Sequence, residues 1–217
     1  MKPINLFLQT RIEDKQCFDI MAKHSLGIAE SETRIHEIKS LRLFIDKLLE
    51  NGVQIEALDG FFMGYKIQQI GKEFDLLKIT KDKLLNIELK SHAILSEEIC
   101  GQLVRNKYYL SHLGKNSKFY TVNTENFTVY TIDEENNLCE IEFSTIVEQI
   151  NFFGQQDYLT EIDKLFRVSD YLISPLNTPE KFISGEYFLT NQQEEIKSCV
   201  LRKVQEIGSG FFSIIGK

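Results

Sequence analysis

Two apolar segments, residues 73–80 and 84–90, meet through the polar stretch Thr80-Lys81-Asp82-Lys83. A link this short brings the chain back antiparallel beside itself, because a parallel crossover needs a dozen residues or more. Both segments read as strands, yet they carry Glu73, Asp75, Glu88 and Lys90 among Phe74, Leu76, Leu77, Ile87 and Leu89. Strand side chains alternate with period two, so Glu88 and Lys90 share one face and Glu73 and Asp75 share one face. Residues 61–70 mix aromatic and β-branched side chains with polar ones and add a strand, making a three-strand meander.

The flanking sequence changes period. Ile35, Ile38, Leu41, Phe44, Ile45, Leu48 and Leu49 recur at three-and-four spacing, which predicts a helix over 31–50 ending near Asn51-Gly52. Ser96-Glu97-Glu98 places acids in the first turn of a second helix that carries Ile99, Leu103, Tyr109, Leu110 and Leu113 up to Gly114. Strands over 119–123 and 127–132 and a helix over 141–150 follow. This order predicts an α/β fold, a mixed central sheet flanked by helices. Residues 1–150 are read as that domain. Residues 151–185, with Gly154, Pro175 and Pro179, are read as a linker or extended connection, and 186–217 as a further unit with a helix over 192–207 and a strand over 211–215.

Bulk properties narrow the function classes. No run of about 18 apolar residues is present, so no membrane partner is expected, and the amino terminus lacks the apolar region of a secretory signal. Cys17, Cys100, Cys139 and Cys199 lack the paired spacing of a zinc site and read as free thiols of a reducing cytoplasm. A net charge of −7 argues against a general nucleic-acid coat. Residues 99–124, however, contain no acid while supplying Arg105, Lys107, Lys115 and Lys118. That local basic patch is either a solvated face or a phosphate-contacting one.

If the strands pair through the turn at 80–83, Asp75 and Glu88 converge at one edge of the sheet. Two carboxylates that close repel unless a cation lies between them. Hard oxygen ligands from Asp75 and Glu88, with the main-chain carbonyl of Leu89, suit Mg2+ or Mn2+. The Lys90 ammonium can then orient a nucleophile or offset charge on a phosphorane. The competing reading is a salt-bridge ladder on an exposed strand face, the usual setting of a Glu-x-Lys triplet. His24, His36, His92 and His112 lack zinc-hydrolase spacing.

Asp75, a gap of twelve residues, then Glu88-x-Lys90 resembles the core motif of the PD-(D/E)XK nuclease superfamily, although Phe74 stands where the eponymous proline would be. The resemblance implies a restriction-endonuclease-like α-β-β-β-α-β core and metal-dependent hydrolysis of nucleic acid, DNA being favoured over RNA. It also implies a metal-ligating acid from the first helix, for which Glu37 is the candidate with Glu30 and Glu50 as rivals. On the helix after the motif it implies substrate-positioning groups: Gln102 as a catalytic residue, Asn106 and Tyr109 on the same side, and Arg105 and Lys107 near phosphates, with Lys115 further along the nucleic-acid-binding patch. Near the end of the chain, Gln193, a helix and a strand running into Gly216-Lys217 are similar to the entrance of a P-loop ATPase or helicase. That similarity implies an attached ATPase domain, as in bacterial proteins of DNA processing or anti-phage defence. The alternative function is a non-catalytic nucleic-acid-binding or interaction module. Oligomeric state is left open.

Overall fold

In the computed structural model, residues 1–11, 34–67, 70–167 and 191–207 are described, together with 171, 173, 176, 178–185, 187–189 and 211–213; the side chains of 34–37, 191, 192 and 207 are not. A short helix α1 (Leu6–Thr10) precedes α2 (Arg34–Glu50) and a 3-10 turn, Ile55–Leu58. The meander β1 (Phe61–Lys66), β2 (Glu73–Ile79) and β3 (Lys83–Lys90) leads to α3 (Ser96–Ser111). Next come β4 (Asn116–Asn123), β5 (Val129–Ile132), β6 (Leu138–Ile141) and α4 (Phe143–Gly154). A 3-10 turn, Ile162–Lys164, then α5 (Pro179–Ile183) and α6 (Asn191–Ile207) complete the order.

All six strands form one sheet in sequential order. Every neighbouring pair is antiparallel except β3 and β4, which run parallel with Lys83 opposite Asn116 and Lys90 opposite Asn123. The parallel pair requires a crossover, and α3 provides it. The chain is therefore α/β with a mixed sheet covered by helices on both faces. On one face Phe44, Ile45 and Leu48 of α2 and Ile146, Ile150 and Phe153 of α4 pack over Leu76, Leu85 and Ile87. On the other, Ile99, Leu103 and Leu110 of α3 pack over Leu77, Ile79 and Leu84. Strands β2 and β3 are covered on both sides, which explains their nearly continuous apolar sequence. No helix among the described residues is long and apolar enough to cross a membrane.

Several boundaries differ from the sequence reading. β1 stops at Lys66, where the chain turns: Ile67 N–H donates to Lys72 O, and Gly71, at φ 74°, donates to Ile67 O. Phe127 lies in a turn at φ 59°, so β5 begins later than expected. β6 was not anticipated, and Ile141 belongs to it rather than to a helix. Its hairpin depends on turn chemistry, with Asn136 at φ 68° and the Asp133 carboxylate accepting from Asn137 N and Nδ2; four strand residues are too few to show a period. The expected strand at 211–215 is not formed in its described part, since residues 211–213 are neither helix nor strand; 214–217 lie outside the described residues.

After α4 the chain folds back over the sheet. Leu159 N–H donates to Ile79 O at 2.7 Å, and Ile162, Phe166 and Tyr171 are buried against the α3 face. Tyr158 lies directly over Gly60, which has φ 79° just before β1. A Cβ there would stand 2.3 Å from the Tyr158 ring. Lys78 is buried across the sheet, its Nζ donating to Ala57 O at 3.0 Å above the Phe61 ring, and burial lowers its pKa to about 8 against the opposing charge of Asp59. Gly60→Ala combines left-handed strain with displacement of Tyr158. We expect it to cost at least ~2 kcal/mol and lower Tm by roughly 4–8 °C in a thermal melt.

Candidate active site

The β2–β3 register pairs Leu77 with Asn86 and Leu76 with Ile87, so the next rung sets Asp75 opposite Glu88. Here the backbone ladder gives way to a side chain: Asp75 Oδ2 accepts the Leu89 N–H at 2.9 Å. On the other side of Asp75 the β1 register passes through Gly64, which has φ 65°. Strand alternation breaks at this rung. Met63 and Leu76 pack on the α2 face, whereas Tyr65 and Phe74, two residues further along each strand, pack on the α3 face. The distortion lies next to the acid pair.

Glu88 is 1% exposed, and Asn86 and Asn106 are fully buried beside it. Its Oε1 accepts from Asn86 Nδ2 at 3.2 Å and from Asn106 Nδ2 at 2.8 Å, and its Oε2 accepts from Gln102 Nε2 at 2.5 Å. Asn106 also donates to Asn86 Oδ1 at 2.7 Å. Glu88 and Asn86 are two residues apart on one strand, and Gln102 and Asn106 are one helical turn apart on α3, so period two on the strand meets period 3.6 on the helix. The amide donors favour the carboxylate form. Burial opposes them, and the Asp75 charge adds to it, so the Glu88 pKa is pushed up to about 8. Two buried oxygens nearby in the fold, Asn106 Oδ1 and the Oγ1 of Thr121, which pairs with Glu88 across β4, have no hydrogen-bond partner among the described residues.

Cations surround the pair. Lys72 is half-buried in the turn before β2, with Nζ 4.8 Å from the Phe74 ring centre. Burial lowers its pKa; Glu88 and Asp75 act against that, and Arg105 and Lys90 reinforce it. Lys90 follows Glu88 by two residues on the same face and is half-buried. Among the described residues Asp75, Glu88, Lys72, Lys90 and Arg105 form no ion pair within 4 Å. The exposed salt-bridge ladder is therefore excluded: Glu88 is buried and pairs with amides. Beside it opens a cleft of about 730 Å³ lined by Lys66, Lys72, Gln102, Arg105 and Tyr109, with Glu73, Glu97 and Glu98 also on its wall.

The other candidates divide. Gln102 and Arg105 reach the cleft; Tyr109 lines it but is 4% exposed and packs with Phe188. Lys107 instead holds the β5–β6 turn, donating to Asn136 Oδ1 at 2.8 Å and to the carbonyls of Asp133 and Glu134. Lys115 donates to Lys81 O at 2.5 Å. The basic stretch of the sequence is thus not one surface. Glu37 lies on α2 with its side chain outside the described residues, and Glu30 is itself outside the described residues; Glu50 is exposed and pairs with Lys47 at 3.6 Å. Gln193 lies in the first turn of α6, and Gly216 and Lys217 fall outside the described residues. Cys100, Cys139 and Cys199 are free thiols. Sequence reasoning missed Asn86 and Lys72. Asn86 is detectable in principle as a polar residue in phase with Glu88 on an apolar strand; Lys72 sits in a turn, where no period marks it.

No group of three or more His, Cys, Asp or Glu able to hold a metal occurs among the described residues. The two carboxylates nevertheless fit a hard divalent cation. Each oxygen has two lone pairs, Glu88 Oε2 and Asp75 Oδ2 each use one in the contacts above, and Mg2+ is commonly held by one or two carboxylates plus substrate phosphate and water. No protein-family model, curated protein or solved structure matches this chain.

Stability should report the buried acid. Because the folded pKa of Glu88 is raised from 4.5 to about 8, its contribution is complete below pH ~4.5 and is lost as pH rises through about 8. In chelator, Glu88→Gln is expected to match wild type near pH 4.5 in relative terms and to gain at least ~2 °C in Tm over it by pH 9. A pH-independent difference between the two melts would contradict the assignment.

Proposed function

We propose that this chain is a metal-dependent nuclease with the restriction-endonuclease-like arrangement of the PD-(D/E)XK superfamily. The observation that carries the reading is a carboxylate pair on adjacent strands, Asp75 and a buried Glu88, joined through Gln102 to a neighbouring cleft lined by Lys66, Lys72 and Arg105 in an acidic protein. A buried acid costs stability and is retained chiefly where chemistry needs it. The order of helix, three-strand meander, crossover helix and parallel strand supports the same reading.

Asp75 and Glu88, with the Leu89 carbonyl, would hold Mg2+ or Mn2+. Such a cation supplies Lewis-acid polarisation of the scissile phosphate and makes hydroxide accessible near neutral pH. The chain's own groups do the rest. Gln102, Asn106 and Asn86 hold the Glu88 carboxylate in a fixed orientation, so no reorganisation is needed when substrate arrives. The Lys90 ammonium, on the same strand face as Glu88, orients the attacking water and offsets charge accumulating on the phosphorane. Arg105 takes substrate phosphate at the cleft.

Cleavage of labelled single-stranded and duplex DNA and RNA in Mg2+, Mn2+ or chelator tests the proposal. Wild type is expected to cut only with metal, and Asp75→Ala and Lys90→Ala are each expected to lower the rate by at least ~10²-fold. Cutting that persists in chelator, or survives both substitutions, would rule out this site as its source.

A further inference from the structure

The shape and charge of the cleft restrict which form of nucleic acid can enter it, an inference that rests on the nuclease reading. Its volume of about 730 Å³ falls within the range of roughly 300–1,000 Å³ that encloses a small ligand. A short stretch of one strand fits inside that volume, whereas a double helix would have to lie across its mouth. Its cations are Lys66, Lys72 and Arg105. None forms an ion pair with a described acid, although Glu73, Glu97 and Glu98 share the cleft. Lys107 and Lys115, by contrast, are committed to backbone carbonyls elsewhere.

The two signs of charge occupy one small space and remain unpaired. One phosphate chain on the cations is neutralised, whereas a second, complementary chain would face Glu73, Glu97 and Glu98. Apolar surface from Ile70 and Leu189 lies in the same cleft and suits the face of an unpaired base or sugar, which a duplex keeps stacked inside. Lys72 links this cleft to the acid pair, since its charge interacts with both Glu88 and Asp75.

We propose that the cleft seats a single-stranded segment of nucleic acid beside the scissile bond, with a phosphate of that segment held by Lys72 and Arg105. The substrate class is then a single strand, or a duplex with a single-stranded overhang, and not a blunt duplex. Lys72 is a substrate-positioning residue distinct from Lys90.

Equilibrium binding of the full chain in chelator tests this independently of cleavage. The probes are fluorescent single-stranded DNA, single-stranded RNA, blunt DNA duplex and overhang-bearing duplex, each titrated over a range of salt. Expected are tight binding of the single-stranded and overhang probes and at least ~10-fold weaker binding of the blunt duplex. For single strands the slope of log K against log salt is about −0.7 per phosphate neutralised, so the Lys72→Met, Arg105→Met double variant should reduce its magnitude by about 0.7 and each single substitution by part of that. Lys72→Arg should restore most of it, and Lys39→Met, on the helix that covers the opposite face of the sheet, should leave it unchanged. Arg105 is exposed on a helix surface, so its replacement reads the contact without disturbing the core. The DNA and RNA arms show which sugar is accepted. Equal affinity for blunt duplex, absence of binding to every probe, or unchanged slopes in both cleft variants would overturn the inference. Single-strand binding with the expected slopes, in a preparation that cuts nothing with Mg2+ or Mn2+, would support the cleft assignment and overturn the nuclease reading instead.

Discussion

The carboxylate of Glu88 is buried at the centre of the sheet, and the arrangement around it is organised by that burial. Removing a carboxylate from water costs several kcal/mol unless hydrogen bonds replace the hydration. Three amide groups do so here, from Asn86, Gln102 and Asn106. Two of them belong to α3, so α3 must cross β3 at one height and one rotation for the acid to be tolerated. The same crossing delivers β4 parallel to β3 and closes the cleft on its Arg105 side. Satisfaction is incomplete: the pKa still rises to about 8, and Asn106 Oδ1 and Thr121 Oγ1, both buried, have no hydrogen-bond partner among the described residues. A site tuned only for stability would replace this group with an apolar one.

Charge is distributed against the average. The chain has 32 acids and 25 bases, yet Lys66, Lys72 and Arg105, none of them ion-paired among the described residues, line one cleft beside the Asp75–Glu88 pair. Lys72 and Lys90 lie on either side of the acid pair in sequence, one in a turn and one on a strand. The low dielectric of the half-buried site strengthens their interaction with anything anionic that enters. The field at the cleft is therefore local. It does not depend on net charge, and a coat of surface lysines would give a different kind of binding, diffuse and highly salt-sensitive.

Much of this was legible because it follows from period. The four-residue link at 80–83 and the two apolar segments around it specify β2 and β3, and period-two alternation places Glu88 and Lys90 on one face. The three-and-four spacing of α2 and α3 is equally plain. What failed to show has physical reasons as well. The hairpin of β5 and β6 depends on Asp133 and Asn136 adopting turn geometry, and its second strand is four residues long. Arg105, Lys107, Lys115 and Lys118 look like one basic run because the sequence records order and not direction. On α3, Arg105 and Lys107 are two residues apart and so point to different sides.

By itself the sequence determined the succession from α2 through β1, β2, β3 and α3 to β4 and the chemical types at positions 75, 88, 90 and 102, since each is written in local pattern. Only the tertiary structure decided that Asp75 stands opposite Glu88, that Glu88 is buried rather than on a solvated ladder, and that Asn86, Asn106 and Lys72 belong to the same site. Those facts depend on inter-strand register and on how a helix seats across a sheet. Both are set by contacts between residues far apart in the chain, for which no local period exists.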